Sequence, residues 1–170
     1  MSQALLNETD AAAGKTVTHN TFVIERTYPT TPEKVFDAFA EAATKRRWYA
    51  EGERHDIEEF EMDFRPGGVE RSRYLMKAGT PIAGFMLVNE GTYLDIVANR
   101  RIVTAAVMSL GDKRISATLV TIELVPENDA RSTKLICTHQ GAFFEGADGP
   151  EMRRGGWNHL FDKLAVELAR

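Results

Sequence analysis

The sequence predicts an α+β fold in which helices are set apart from strands. Three features point to it. A β-branched, alternating run (TFVIERTYP) comes early, two short helical segments follow it, and about six further strand-like runs precede one long amphipathic helix at the C-terminus. Strands in series with helices at the ends indicate an antiparallel sheet packed on one face by a helix, not a parallel alternating architecture. At 170 residues the chain suits one domain, with length enough to enclose a core and a cavity within it.

The elements follow in order. Residues 1–16 (MSQALLNETDAAAGKT) are small and polar without a period, and are expected to form a flexible N-terminal leader ahead of a domain over 17–170. Residues 17–28 read as a strand with Phe22 and Ile24 on one face. In TTPEKVFDAFA, Thr31 suits the N-cap, Pro32 the first helical position and Glu33 the first turn, while Val35, Phe36 and Phe39 supply an apolar side. A second short helix, EAATKRRWYA, ends near Trp48.

The segment IEEFEMDFRPGGVERSRYLM reads as a hairpin. A three-residue loop at Pro66-Gly67-Gly68 sets Asp63 opposite Arg71 and Glu61 opposite Arg73, pairing opposite charges, and supplies glycine where such loops need a left-handed residue. This register puts Glu70, Ser72, Tyr74 and Met76 on the face of Phe60 and Met62. Strands are expected at about 82–94, 101–109, 115–125 and 132–140, with turns at LGDKR and NDARS. IAGFMLV is apolar on both faces, which leaves that strand's orientation open.

From Trp157 onward the chain reads as an amphipathic helix whose stripe is Trp157, Leu160, Phe161, Leu164 and Leu168. Counting back by fours from Leu164 passes through Leu160 and Gly156, so Gly156 faces the sheet and Gly155 lies to the side. A missing side chain there either opens part of a cavity or lets helix and sheet approach closely; glycine serves both.

Composition narrows the function. A net charge of −4 and a pI near 5.6 argue against a nucleic-acid partner. No run is apolar enough to cross a membrane, and the N-terminus lacks a signal peptide's apolar core. Cys137 is the only cysteine, which suits a reducing cytoplasm. His19, His55, His139 and His159 are scattered, so no metal site is expected, and no phosphate-binding or nucleophile motif calls for a cofactor.

Three segments, TTPEKVFDAFAEAATKRRWY, DFRPGG and GGWNHLFDKLAVEL, together resemble the helix-grip superfamily of START domains, plant pollen-allergen proteins and bacterial polyketide cyclases. Within it the chain is most similar to the family related to the C-terminal domain of the Hsp90 ATPase activator. The resemblance covers about residues 17–170. It implies a curved antiparallel sheet of about six to seven strands wrapped around the C-terminal helix, two short helices closing one end, and a pocket for an apolar molecule between sheet and helix. It also raises a stress-related, chaperone-associated role. The activator makes much of its Hsp90 contact through a separate N-terminal domain for which this chain has no room, so Hsp90-type contact is not expected without an additional domain.

On that frame, Trp48, Phe60, Met62, Ser72, Tyr74, Met76, Met86, Met108, Gly156, Trp157 and Leu160 are the expected ligand-binding residues. Methionines and aromatics adapt to irregular apolar ligands. Glu70, Tyr74 and His139 are the candidate acid–base groups, with Glu90 a possible inward addition. Cys137 and His139 share a strand face, but with about 7 Å between them and no third orienting group, Cys137 reads as core. The acidic stretch from Glu51 to Asp63 reads as a solvated loop and strand face. The leading expectation is a binder of a small hydrophobic or amphipathic molecule. The alternatives are a cyclase- or dehydrase-like enzyme acting on a carbonyl compound in the same cavity, and a chaperone-associated or homodimeric interaction module.

Overall fold

The computed structural model describes residues 16–170; the expected leader over 1–16 therefore lies, but for Thr16, outside the described residues. Strand β1 (Val17–Tyr28) leads into helix α1 (Pro32–Ala40) and a short α2 (Ala42–Lys45) that runs on as a wider π-helical turn (Arg46–Ala50). Six strands follow: β2 (His55–Met62), β3 (Val69–Met76), β4 (Met86–Val97), β5 (Arg101–Leu110), β6 (Lys113–Glu127) and β7 (Ser132–Phe144). Helix α3 (Pro150–Leu168) ends the fold. The strands form one curved, seven-stranded antiparallel sheet in the order β1-β7-β6-β5-β4-β3-β2.

Local chemistry sets the helices. Thr31 caps α1 by accepting from the Lys34 backbone N–H at 3.3 Å, and Val35, Phe36 and Phe39 are buried as its spacing requires. The Trp48 indole donates to the Ala38 carbonyl at 2.8 Å, fixing the second helical segment against the first. Helix α3 starts at Pro150, seven residues before Trp157, so Gly155 and Gly156 lie inside it and not at its start. Its stripe faces inward, with Phe161 and Leu164 fully buried; each such side chain is worth about 1.5–3 kcal/mol of apolar burial. The Tyr28 hydroxyl donates to the Phe161 carbonyl at 3.0 Å and the Lys34 ammonium to the Leu168 carbonyl at 2.9 Å, tying the C-terminal half of α3 to β1 and α1.

Two details of the strands differ from expectation. The β2–β3 register is displaced by two residues: Glu61 pairs with Arg71, Glu59 with Arg73 and Met62 with Glu70, and the Asp63 N–H donates to the Val69 carbonyl at 2.9 Å. The loop is thus residues 64–68. Its extra length lets Phe64 pack edge-on against Phe36 and Tyr93, with centroids 5.6 and 5.0 Å away, and lets Gly67 donate to the Tyr93 carbonyl at 2.7 Å. A two-residue shift preserves both the cross-strand charge pairing and the inward face. Strand β4 begins at Met86, not 82, because residues 77–85 form a loop whose Gly79 and Gly84 hold positive φ.

Candidate functional site

A cavity of about 390 Å³ lies between the concave sheet face, the second helical segment and α3. The hollow arises from the alignment of small residues. Ladder pairing places Gly91, Ala106 and Thr118 side by side on β4, β5 and β6, and all three line the cavity. Across from them on α3, Gly156 also lines it, and nothing lies within 4 Å of where its Cβ would be. Helix and sheet are therefore held apart at Gly156, and of the two readings of this glycine it is the space, not the close approach, that is present. Met152, Gly156 and His159, all solvent-exposed, form the rim.

Of the residues expected to bind a ligand, Trp48, Ser72, Tyr74, Met76 and Met108 line the cavity, as do Gly156, Trp157 and Leu160. The candidate acid–base residues Glu70 and His139 line it too. Three others do not. Met86 pairs with Leu75 on the opposite face, and Leu87, paired with Tyr74, takes the inward place. Phe60 and Met62 sit on the edge strand beyond β3, where Phe60 packs toward Tyr49 at 6.4 Å. Glu90 faces outward and pairs with Arg71 at 2.9 Å, so it is no part of the site. Cys137 is fully buried in the core, where burial pushes its thiol up to about 12.

The polar lining gathers at two poles. At the first, on α2, β3 and β4, the Glu70 carboxylate accepts from both the Lys45 ammonium and the Tyr93 hydroxyl, and all three side chains are buried. Burial, and next the Glu70 charge, raises the Tyr93 phenol well above its ordinary value. The Lys45 ammonium also stands 4.8 Å from the centre of the Tyr49 ring, a favourable cation–π placement. Two residues along β3 from Glu70, Ser72 is 1% exposed, and its hydroxyl and that of Tyr74, near each other on one strand face, are buried with no partner from any other element. Burial pushes the Tyr74 phenol up to about 12. A bulge between Ile57 and Glu59 turns His55 toward this pole, where its Nε2 lies 2.6 Å from the Ala50 carbonyl.

The second pole is built by β6, β7 and the first turns of α3. Arg153 grips Asp148 through two hydrogen bonds of 2.8 and 2.7 Å and donates to the Ser116 hydroxyl at 2.9 Å. Beside it His139, 1% exposed, lies flat on Phe22, and its Nδ1 has no partner. Burial, and then the Arg153 charge, lowers its pKa to about 4. The imidazole is neutral at ordinary pH.

Sequence reasoning missed Lys45, Tyr49, Asn89, Tyr93 and Arg153. A charged side chain on a helix defaults to solvent, yet a signal existed: Arg153 lies four and eight residues before Trp157 and Phe161, on their stripe. Among the described residues no cluster of metal-ligating side chains is present, and no helix is long and apolar enough to cross a membrane.

Residues 29–169 match the family described as activator of Hsp90 ATPase homolog 1-like protein. Among solved structures, an uncharacterized protein of Rhizobium leguminosarum is 34% identical with a TM-score of 0.82, over 91% of this chain and 97% of its own. The Mll3558 protein of Rhizobium loti is 44% identical with a TM-score of 0.78, over 89% and 98%. The SA2116 protein of Staphylococcus aureus, of unknown function, shares the fold at 17% identity and a TM-score of 0.69, over 90% and 95%. No curated protein matches the chain. Proteins of this helix-grip type generally bind hydrophobic ligands.

Proposed function

We propose that this chain, which belongs to the activator of Hsp90 ATPase homolog 1-like family, binds a small hydrophobic or amphipathic molecule in the cavity between its sheet and helix α3. One observation carries the reading. An apolar hollow open at Gly156 contains three buried hydrogen-bonding atoms, Ser72 Oγ, Tyr74 Oη and His139 Nδ1, that no other element of the protein pairs. An unpaired buried polar atom costs about 1–3 kcal/mol, and a ligand that pairs them recovers that cost while its apolar body meets Met108, Trp157 and Leu160. Acid–base catalysis gains less from the geometry. The Glu70 carboxylate is already engaged by Lys45 and Tyr93. Tyr74 stands four residues along β3, where the Glu70 charge helps hold its phenol up, and His139 lies on β7.

Native mass spectrometry of freshly isolated protein tests the proposal together with the Gly156→Leu variant. The wild type is expected to carry a small-molecule mass, or to melt several degrees higher with an apolar compound, and the variant to lose both. Leucine projects into the cavity but raises helix propensity by about 1 kcal/mol, so the variant stays folded. A wild type with only its own mass and no melting shift across an apolar panel overturns the reading.

A further inference from the structure

We infer that the cavity selects an uncharged ligand that carries a hydrogen-bonding group at each end of an apolar body. The inference rests on the binding reading above and narrows it to a ligand class.

The first ground is charge. Among the described residues that line the cavity, each ionised side chain already has its counter-charge: Lys45 with Glu70, and Arg153 with Asp148. The hydroxyls of Tyr93 and Ser116 occupy further sites on these pairs. Of the histidines, His55 has its Nε2 against the Ala50 carbonyl and His159 sits at the solvent-exposed rim. A ligand carboxylate or ammonium would have to break one of these pairs or remain buried without compensation, and either is costly.

The second ground is the chemistry of the buried groups that no other element pairs. Serine and tyrosine hydroxyls donate and accept, and a neutral imidazole nitrogen does one or the other by tautomer. With His139 at about 4 and Tyr74 at about 12, both are uncharged over the whole neutral range. Hydroxyl, phenol and carbonyl groups satisfy such partners.

The third ground is placement. Ser72 and Tyr74 lie on β3 and His139 on β7, four strand intervals away in the sheet. That is about 19 Å along the sheet, and less across its concave face. Met108, Ala106 and Val120 lie on the strands between. A single-headed fatty acid would lay a charge at one pole and bare hydrocarbon at the other.

Four ten-carbon probes separate the possibilities: 1,10-decanediol, 1-decanol, decanoate and decanedioate, titrated at pH 7 against fluorescence of Trp48 and Trp157, which both line the cavity. The diol is expected to bind roughly tenfold more tightly than decanol, one recovered hydrogen bond's worth, and both carboxylates more weakly than decanol. Ser72→Ala combined with Tyr74→Phe should bring the diol down to the level of decanol, as should His139→Leu. Decanoate or decanedioate binding as well as the diol overturns the inference while upholding the binding reading, and so does a diol no better than decanol. If no probe binds but a retained molecule is found, its composition decides: a charged or single-headed molecule overturns the inference. Neither retained mass nor any binding removes the binding reading itself, and this inference with it.

Discussion

The imidazole of His139 stacks on Phe22 with centroids 4.5 Å apart and an interplanar angle of 3°, and Phe143 stands 6.2 Å away. Gly141 makes this possible, because a Cβ there would come within 2.7 Å of the Phe143 ring and 3.1 Å of the His139 ring. Arg153 and Asp148 are the charges that face it. Its pKa is lowered from 6.5 to about 4 by burial first and the Arg153 charge second. The unfolded chain therefore binds a proton below about 6.5 that the folded chain refuses until about 4. The neutral ring's contribution to stability is complete above the unfolded value and is lost as pH falls through that window. Melting temperature should drop more steeply between these pH values for the wild type than for His139→Gln, and identical profiles would contradict a buried neutral imidazole. At this scale the inward set Glu70, Ser72 and Tyr74 was readable because strand alternation has a period of two. The buried cations Lys45 and Arg153 were not, because only their distant partners Glu70 and Asp148 make their burial tolerable.

Elements show where local rules stop short. The PGG turn announced glycine, but the charge rule is met equally by registers two residues apart, since Glu59, Glu61 and Asp63 alternate opposite Arg71 and Arg73. The five-residue loop is chosen by distant contacts, the Gly67–Tyr93 hydrogen bond and the seat of Phe64, and neither is visible in the hairpin's own sequence. The two glycines then differ in kind. Gly67 holds φ +84° with nothing near its absent Cβ, whereas a Cβ on Gly68 would stand 1.9 Å from the Asp63 carbonyl oxygen. Gly67→Ala should cost about 1–2 kcal/mol, the left-handed penalty alone, and Gly68→Ala distinctly more. Urea midpoints of the two variants settle the order, and a Gly68→Ala as mild as Gly67→Ala would refute this loop. The start of α3 escaped for a similar reason: two adjacent glycines weaken local propensity, and the Arg153 clasp on Asp148 and Ser116 adds the tertiary support that propensity omits.

For the molecule as a whole, strand count, element order and the covering helix followed from periodicity and turn chemistry, each of which acts over a few residues. The volume of the cavity did not, because it depends on Gly91, Ala106 and Thr118 falling in one row, and that requires two ladder registers to be known at once. The same topology has a consequence in time. Strands β2 to β7 each pair with the next in the chain, but β1 pairs with β7, setting Val17 beside Phe144. Closing so long a loop is entropically slow compared with forming successive hairpins, so β1 is expected to dock after the folding barrier. Ile24→Val, in the β1–β7 seam, should accelerate unfolding and leave the folding rate nearly unchanged in stopped-flow measurements; slower folding would instead place β1 in the nucleus. The strand synthesised first would then be the last to take its seat, and His139, bare until Phe22 arrives, would gain its cover only at that final step.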